Sequence, residues 1–285
     1  MEKIEPMGTR YLDPTNDVAF KRLFSDKPRL KDFLNAIFPA DWAPIADLDF
    51  IPLEEMPAVF LGRRSVFDLR CTDETGKVYI VEMQNRSQDA FLNRIQCYAS
   101  HAYVAQAVKG GDHRNLMPVI VLSLTSDKLF EDDVPCVSYH WDVEQTTKKR
   151  LLMAISYIFV ELPKFKKTEA ELQDIRDEWL YFFANWEHLK APPEDLKDPL
   201  VLSAYETMEQ FNWTPGQYDA YFRMRLAIEA DQHEIERSEE KGRAEGRVEE
   251  KKEIAHNLLA RGMNPEEIAR VTNLPVEEIR KFQEV

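Results

Sequence analysis

The chain has 285 residues, 37 Lys/Arg against 51 Asp/Glu for a formal net charge of −14, and 44% apolar residues with only 9 glycines. That composition excludes disorder, a collagen-like repeat and a polybasic tail, and the length is enough for one large domain or two smaller ones. Residues 1–150 carry −4 of the charge and residues 151–285 carry −10, so a nucleic-acid site has to be local and metal-assisted, since counterion release needs Lys and Arg opposite phosphates.

Met1–Arg10 holds Glu2, Lys3, Glu5 and Arg10 with no apolar stretch behind them, which gives no sign of a secretory leader. From Asp17 to Phe38, apolar residues recur near a helical period with a break at Lys27-Pro28, and two short helices are expected. Extended segments follow at Leu48–Leu53, Val59–Cys71 and Val78–Gln84, the last two joined by the turn composition Asp73-Glu74-Thr75-Gly76, a β-hairpin. Asp89–Val108 has no Pro or Gly and runs to Gly110-Gly111, a helix with a glycine stop. Met117–Leu124 has the Val/Ile-rich composition of a buried strand, so the order is that of an α/β layer arrangement.

Val137–Trp141 and Leu151–Leu162 read as strands or sheet-covering segments. The apolar run Leu151–Val160 is the longest in the chain and about half of the roughly 20 residues a membrane helix needs, so no membrane span and a cytoplasmic protein are expected. Glu169–Glu187 reads as an aromatic-rich helix, Leu196–Phe211 and Pro215 to about Ile235 as further helices, and the charged run Glu234–Glu253 as an exposed helix or a linker. The last 30 or so residues pattern as a small helix-turn-helix-like unit, whose second helix, Pro275–Glu284, carries Glu277, Glu278 and Glu284 and suits partner docking or oligomerisation better than phosphate contact. Cys71, Cys97 and Cys136 share no CxxC spacing and are expected to be reduced, mostly buried thiols, and the six His show no zinc-binding pattern. No GxGxxG or P-loop stands between a strand and a helix.

The chemistry concentrates in Val66-Phe67-Asp68-Leu69-Arg70, the turn, and Tyr79-Ile80-Val81-Glu82-Met83-Gln84. With the turn centred near Thr75, Asp68 and Glu82 fall opposite one another, with Gln84 on the same face. A slip of one residue would break that alignment. Two facing carboxylates at the end of apolar strands need a positive partner, and oxygen ligands suit Mg²⁺ or Mn²⁺. The alternative is that Asp68 pairs with Arg70 or a nearby Lys and Glu82 faces solvent.

Asp, a hairpin turn, then Glu-x-Gln resembles the PD-(D/E)xK nuclease core, and the wider string resembles the recombination-promoting nuclease and putative transposase family. The matching residues are Asp17 to Phe24, Asp68, Glu82-Met83-Gln84, Phe91-Leu92-Asn93-Arg94 with Tyr98, Gly110-Gly111, and the Gly-Arg-Ala-Glu-Gly tail before the terminal helices. The resemblance implies a restriction-endonuclease-like α/β fold, a mixed four-stranded sheet flanked by helices with a helical C-terminal extension. It implies metal-dependent endonucleolytic cleavage of DNA linked to recombination or mobile elements, with Asp68, Glu82 and the Met83 carbonyl holding Mg²⁺ (Mn²⁺ or Ca²⁺ as alternatives). Gln84 replaces the usual Lys and has no charge to act as a base. Lys21 or Arg94 would supply the lost cation and contact the nucleic acid, and Asp17 would orient the metal. The expected division is a nuclease-like domain at 1–165, a helical extension at 166–233, a charged helix or linker at 234–253 and the small terminal unit at 254–285. The partner is DNA, with a homo-oligomer through the C-terminal helices as a further expectation. The competing reading is an inactive nuclease-like DNA-binding or scaffold protein.

Overall fold

The computed structural model describes residues 8–51, 69–84, 90–107 and 111–282. Two capped helices open it. In α1 (Asp17–Phe24) the Asn16 side chain accepts the Val18 N–H at 3.0 Å, and in α2 (Lys27–Ile37) Asp26 accepts the Arg29 N–H at 3.0 Å. The break expected at Lys27-Pro28 is therefore a helix start, where proline is tolerated because the first-turn N–H has no helical acceptor.

The sheet has six strands: β1 (Leu48–Phe50), β2 (Leu69–Asp73), β3 (Val78–Gln84), β4 (Val119–Thr125), β5 (Val137–His140) and β6 (Ile155–Glu161), in spatial order β1-β2-β3-β4-β6-β5. β1, β2 and β3 pair antiparallel, β3, β4 and β6 pair parallel, and β5 returns antiparallel on β6. The four strands implied by the family resemblance are thus extended by β6 and β5. A parallel pair needs a crossover, and α3 (Phe91–Val104) supplies it between β3 and β4.

Strand alternation sorts the side chains onto two faces. Tyr79, Val81, Met83, Ile120, Leu122, Leu124, Ile158 and Val160 pack into one large core with α1, α2, α4 (Ile175–Asn185) and α5 (Pro199–Met208). Val78, Ile80, Val119 and Val121 face Ala99 and Ala102 of α3 on the other side. The large core centres on Phe20, Phe24, Phe33, Trp179, Phe182 and Phe183, all at most 1% exposed, with edge-on or tilted ring contacts such as Phe24–Phe33 at 4.9 Å. Each such ring contributes on the order of 2 kcal/mol by burial. The Trp179 indole N–H is satisfied by Asp32 at 2.7 Å.

Several boundaries differ from the sequence expectation. α3 ends at Val104, short of the glycines, with Gly110 outside the described residues. β6 starts at Ile155 because Leu151, Leu152 and Met153 are more than half exposed and add nothing to the sheet. The aromatic helix is shorter, its flanks at Glu169–Glu171 and Trp186–His188 being 3₁₀ turns. The charged run is helical: α6 spans Pro215–Ala260 without interruption. Cys71 is buried but Cys97 is exposed, and burial pushes the Cys71 thiol up to about 12 and the Cys136 thiol up to about 11.

Contacts divide the chain into two compact units, Met1–Met224 and Arg225–Val285. The sheet and its helices belong to the first. In the second, Ala255, Ile268, Leu274 and Ile279 form a small core between the end of α6, α7 (Pro265–Thr272) and α8 (Val276–Lys281). Gly262, at φ +82°, ends α6, and Asn273, at φ +55°, ends α7 in the left-handed region that Asn tolerates better than most residues. No helix among the described residues is long and apolar enough to cross a membrane.

Candidate functional site

The site begins with the hairpin turn. Asp73 Oδ1 accepts the Thr75 N–H at 2.8 Å, the Thr75 hydroxyl at 2.6 Å and the Lys77 N–H at 3.0 Å, while Oδ2 accepts the Tyr79 hydroxyl at 2.7 Å. Gly76, at φ +86°, donates its N–H to the Asp73 carbonyl, and its missing Cβ would sit 3.5 Å from Met117. A three-residue loop closed by a left-handed glycine fixes the pairing of the two strands. Leu69 faces Val81, Arg70 faces Ile80, Cys71 faces Tyr79 and Thr72 faces Val78, every pair symmetric about position 75. Asp68 lies outside the described residues, as do Arg63 and Arg64.

On β3, Glu82 and Gln84 continue the face of Val78 and Ile80 toward α3, whereas the Met83 side chain, 8% exposed, is committed to the large core. Met83 therefore has only its carbonyl to offer a site. Glu82 is half-buried, and the neighbouring rung of β4 is Ser123, fully buried, whose hydroxyl has no hydrogen-bond partner among the described residues. The next rung pairs Gln84 with Thr125, also buried.

α3 brings two more groups to this face. Arg94 donates from Nη2 to Gln84 Oε1 at 2.8 Å and lies over the Phe91 ring at 5.4 Å. Phe91 is anchored with Ile95 against Phe159 of β6, so the guanidinium stands on a buried pedestal. Tyr98 is one turn further along α3. Burial pushes its hydroxyl pKa up, with Arg94 pulling it down and Glu82 raising it, so these three groups share one electrostatic environment. On α1, Lys21 donates to Asp17 at 3.1 Å, each about one-third exposed. The apolar side of α1, with Phe20, Leu23 and Phe24, packs in the same core as Met83.

An open cleft of about 710 Å³ adjoins this end of the sheet. Asp13 and Thr15, which lead into α1, line it together with Lys166, Lys167 and His188. Ser126 also lines it and donates its N–H to the Gln84 carbonyl at 3.0 Å, which ties the cleft to the end of β3. Lys167 is paired with Asp177 at 2.6 Å.

The family model for PD-(D/E)XK nuclease family transposases matches residues 14–238. The chain belongs to that family. No curated protein and no solved structure matches it. In this PD-(D/E)XK chain the mixed sheet, flanking helices and antiparallel hairpin are in place, and nucleases of the family generally use divalent metals.

Whether the residues suit such an ion can be judged from the donors. Among the described residues, no three His, Cys, Asp or Glu side chains gather to hold a metal. The side-chain oxygens that meet on this face, the Glu82 carboxylate and the Ser123 hydroxyl, fit a hard divalent cation. Gln84 directs its amide oxygen to Arg94. Ser123 was missed in the sequence, although a serine within Val119-Ile120-Val121-Leu122-Ser123-Leu124 breaks an otherwise apolar run. Glu161, at the end of β6, is buried but structural: it accepts the Leu129 and Phe130 N–H groups at 2.7 and 3.1 Å and pairs with Lys164 at 2.8 Å.

Proposed function

We propose that this chain is a divalent-metal-dependent DNA endonuclease that hydrolyses phosphodiester bonds in the service of recombination or mobile-element movement. The observation that carries the reading is the pairing of β2 with β3, symmetric about position 75, with Glu82 and Gln84 turned to the face where Arg94 stands. In the sequence, positions 68 and 82 are each seven residues from 75, and on that spacing Asp68 is proposed as the second carboxylate. Asp68, Glu82 and the Met83 carbonyl would hold Mg²⁺, with Mn²⁺ or Ca²⁺ as alternatives. Such an ion supplies a water of lowered pKa and neutralises charge developing on the phosphate.

The remaining roles fall to the chain itself. Arg94 fixes the Gln84 amide through its oxygen, which holds in place a group that can orient a water without exchanging a proton. The Arg94 guanidinium supplies the positive charge that the missing lysine would have carried, and contacts a substrate phosphate. Lys21 is proposed as a second phosphate contact and Asp17, bonded to it, as the residue that orients the metal from α1. The adjoining cleft, with Lys166 and His188 on its wall, suits the approach of a nucleic-acid strand to the end of β3.

One observation favours a second reading. Gln84 cannot ionise, and its oxygen is already engaged by Arg94, an arrangement equally suited to a nuclease-like protein that binds DNA without cutting it. Incubation of supercoiled plasmid and single-stranded DNA with Mg²⁺, Mn²⁺, Ca²⁺ or EDTA separates the two. Metal-dependent nicking by the native chain, lost in Asp68→Ala and Glu82→Gln proteins that melt normally, is the expected result. Cleavage that survives both substitutions would overturn the site, and absence of cleavage with every metal would leave the non-cutting reading.

A further inference from the structure

A second pocket lies at the other end of β3 from Glu82 and on the other face of the sheet. It has a volume of about 290 Å³ and opens where Tyr79, Ile120 and Ser156 begin the parallel strands. Its walls are aromatic: Phe38 stacks on Tyr79 at 5.5 Å and 23°, and Trp42 meets Phe38 edge-on at 5.5 Å. The Tyr79 hydroxyl is taken by Asp73, so what Tyr79 offers the cavity is its ring.

The charged residues lining it are Arg150 and Lys77, and among the described residues no carboxylate lines it, although the whole chain carries −14. Arg150 is held firmly. Its guanidinium lies over the rings of Trp42 and Trp141, at 5.6 and 4.8 Å, and its Nη2 donates to the buried Ser156 hydroxyl at 2.5 Å. Its Nε is buried away from the cavity, with no hydrogen-bond partner among the described residues. Asp142 is the carboxylate whose field Arg150 feels, and it is not part of the pocket wall. A rigid guanidinium beside flat aromatic walls and a second cation matches a planar ring that carries an anionic group.

We infer that this pocket binds a planar, anionic ligand of mononucleotide size, held by Arg150 and Lys77 at its anion and by Phe38, Trp42 and Tyr79 at its ring. A free nucleotide and the phosphorylated end of a DNA strand offer the same chemistry. The inference does not depend on the metal site, which is at the opposite end of the strand, and it can be tested with metal chelated.

The test titrates the full chain in EDTA with dAMP and with deoxyadenosine, following tryptophan fluorescence and calorimetric heat. Saturable binding of dAMP is expected, with deoxyadenosine about tenfold weaker or worse, because a charge-assisted hydrogen bond is lost. Arg150→Gln should weaken dAMP by about tenfold or more. Lys77→Gln, at a partly exposed hairpin residue, should weaken it about threefold and flatten its salt dependence. It remains decisive should Arg150→Gln fail to fold. Competition by a 5′-phosphorylated oligonucleotide, but not its 5′-hydroxyl form, identifies the strand end as the source; competition by neither identifies the free nucleotide. Lack of saturation up to about 10 mM, equal binding of dAMP and deoxyadenosine, or unchanged binding in both folded variants overturns the inference.

Discussion

Replacing Asp73 by Ala removes the acceptor that closes the hairpin and positions β3. Four donors converge on this carboxylate, and it is 9% exposed. The Tyr79 hydroxyl suffers most, since Tyr79 is 3% exposed and has nowhere else to turn; an unsatisfied buried donor of this kind costs about 1–3 kcal/mol. With the weaker turn bonds included, Asp73→Ala should lose about 3 kcal/mol in urea unfolding followed by tryptophan fluorescence. Burial pushes the Asp73 carboxyl up, but the bonds from Thr75, Tyr79 and Lys77 outweigh it and leave the group below the usual carboxylate range. A folded pKa below the unfolded one, about 3.9, adds stability that is complete well above pH 4 and disappears as pH falls through the folded value. The gap between native chain and Asp73→Asn should therefore stay constant from about pH 7 to 5 and narrow below about pH 4. A gap as wide at pH 3 as at pH 7, or a loss under about 1 kcal/mol in Asp73→Ala, would refute this account of the turn.

Other outcomes follow from single contacts. Lys164→Met strands the fully buried Glu161 carboxylate with two backbone donors and should cost about 3 kcal/mol, recovered in part by adding Glu161→Gln; urea unfolding checks both. Arg94→Gln should reduce DNA nicking by about 100-fold with an unchanged melting temperature, and Arg94→Lys should restore part of it, since charge without the fork keeps half the contact. Ile268→Ala, at the centre of the small C-terminal core, should destabilise that unit by about 3 kcal/mol while amide exchange in β3 and β4 is unaltered.

The sequence was most legible where local rules and tertiary packing agree. Val78–Gln84 was bounded correctly because it is a central strand whose alternation, turn chemistry and β-branched content point the same way. Its pairing symmetric about Thr75 could be anticipated because Asp73 and Gly76 dictate a short closed loop. Leu151–Met153 misled because an apolar run carries no information about whether the sheet reaches it. The run Glu234–Glu253 left helix and linker open, since charge patterning describes a solvated face in either state. At the candidate site, Glu82 and Gln84 were visible as a motif, but the bond from Arg94 to Gln84 was not. They lie ten residues apart, and the geometry is set by the packing of α3 on the sheet, Phe91 against Phe159 included. Ser123 escaped for the same reason, its relation to Glu82 existing only in the parallel pairing.

The alternation along β3 has a genetic consequence. Tyr79, Val81 and Met83 hold the strand in the aromatic core, while Glu82 and Gln84 project to the other side. A change at Glu82 spares every ring that keeps the molecule folded. If Glu82 has the role proposed above, such an allele would give a folded protein without function, able to compete with the active form in a cell carrying both copies. A change at Met83, the next residue, would remove packing from the large core instead, and its expected effect is on folding.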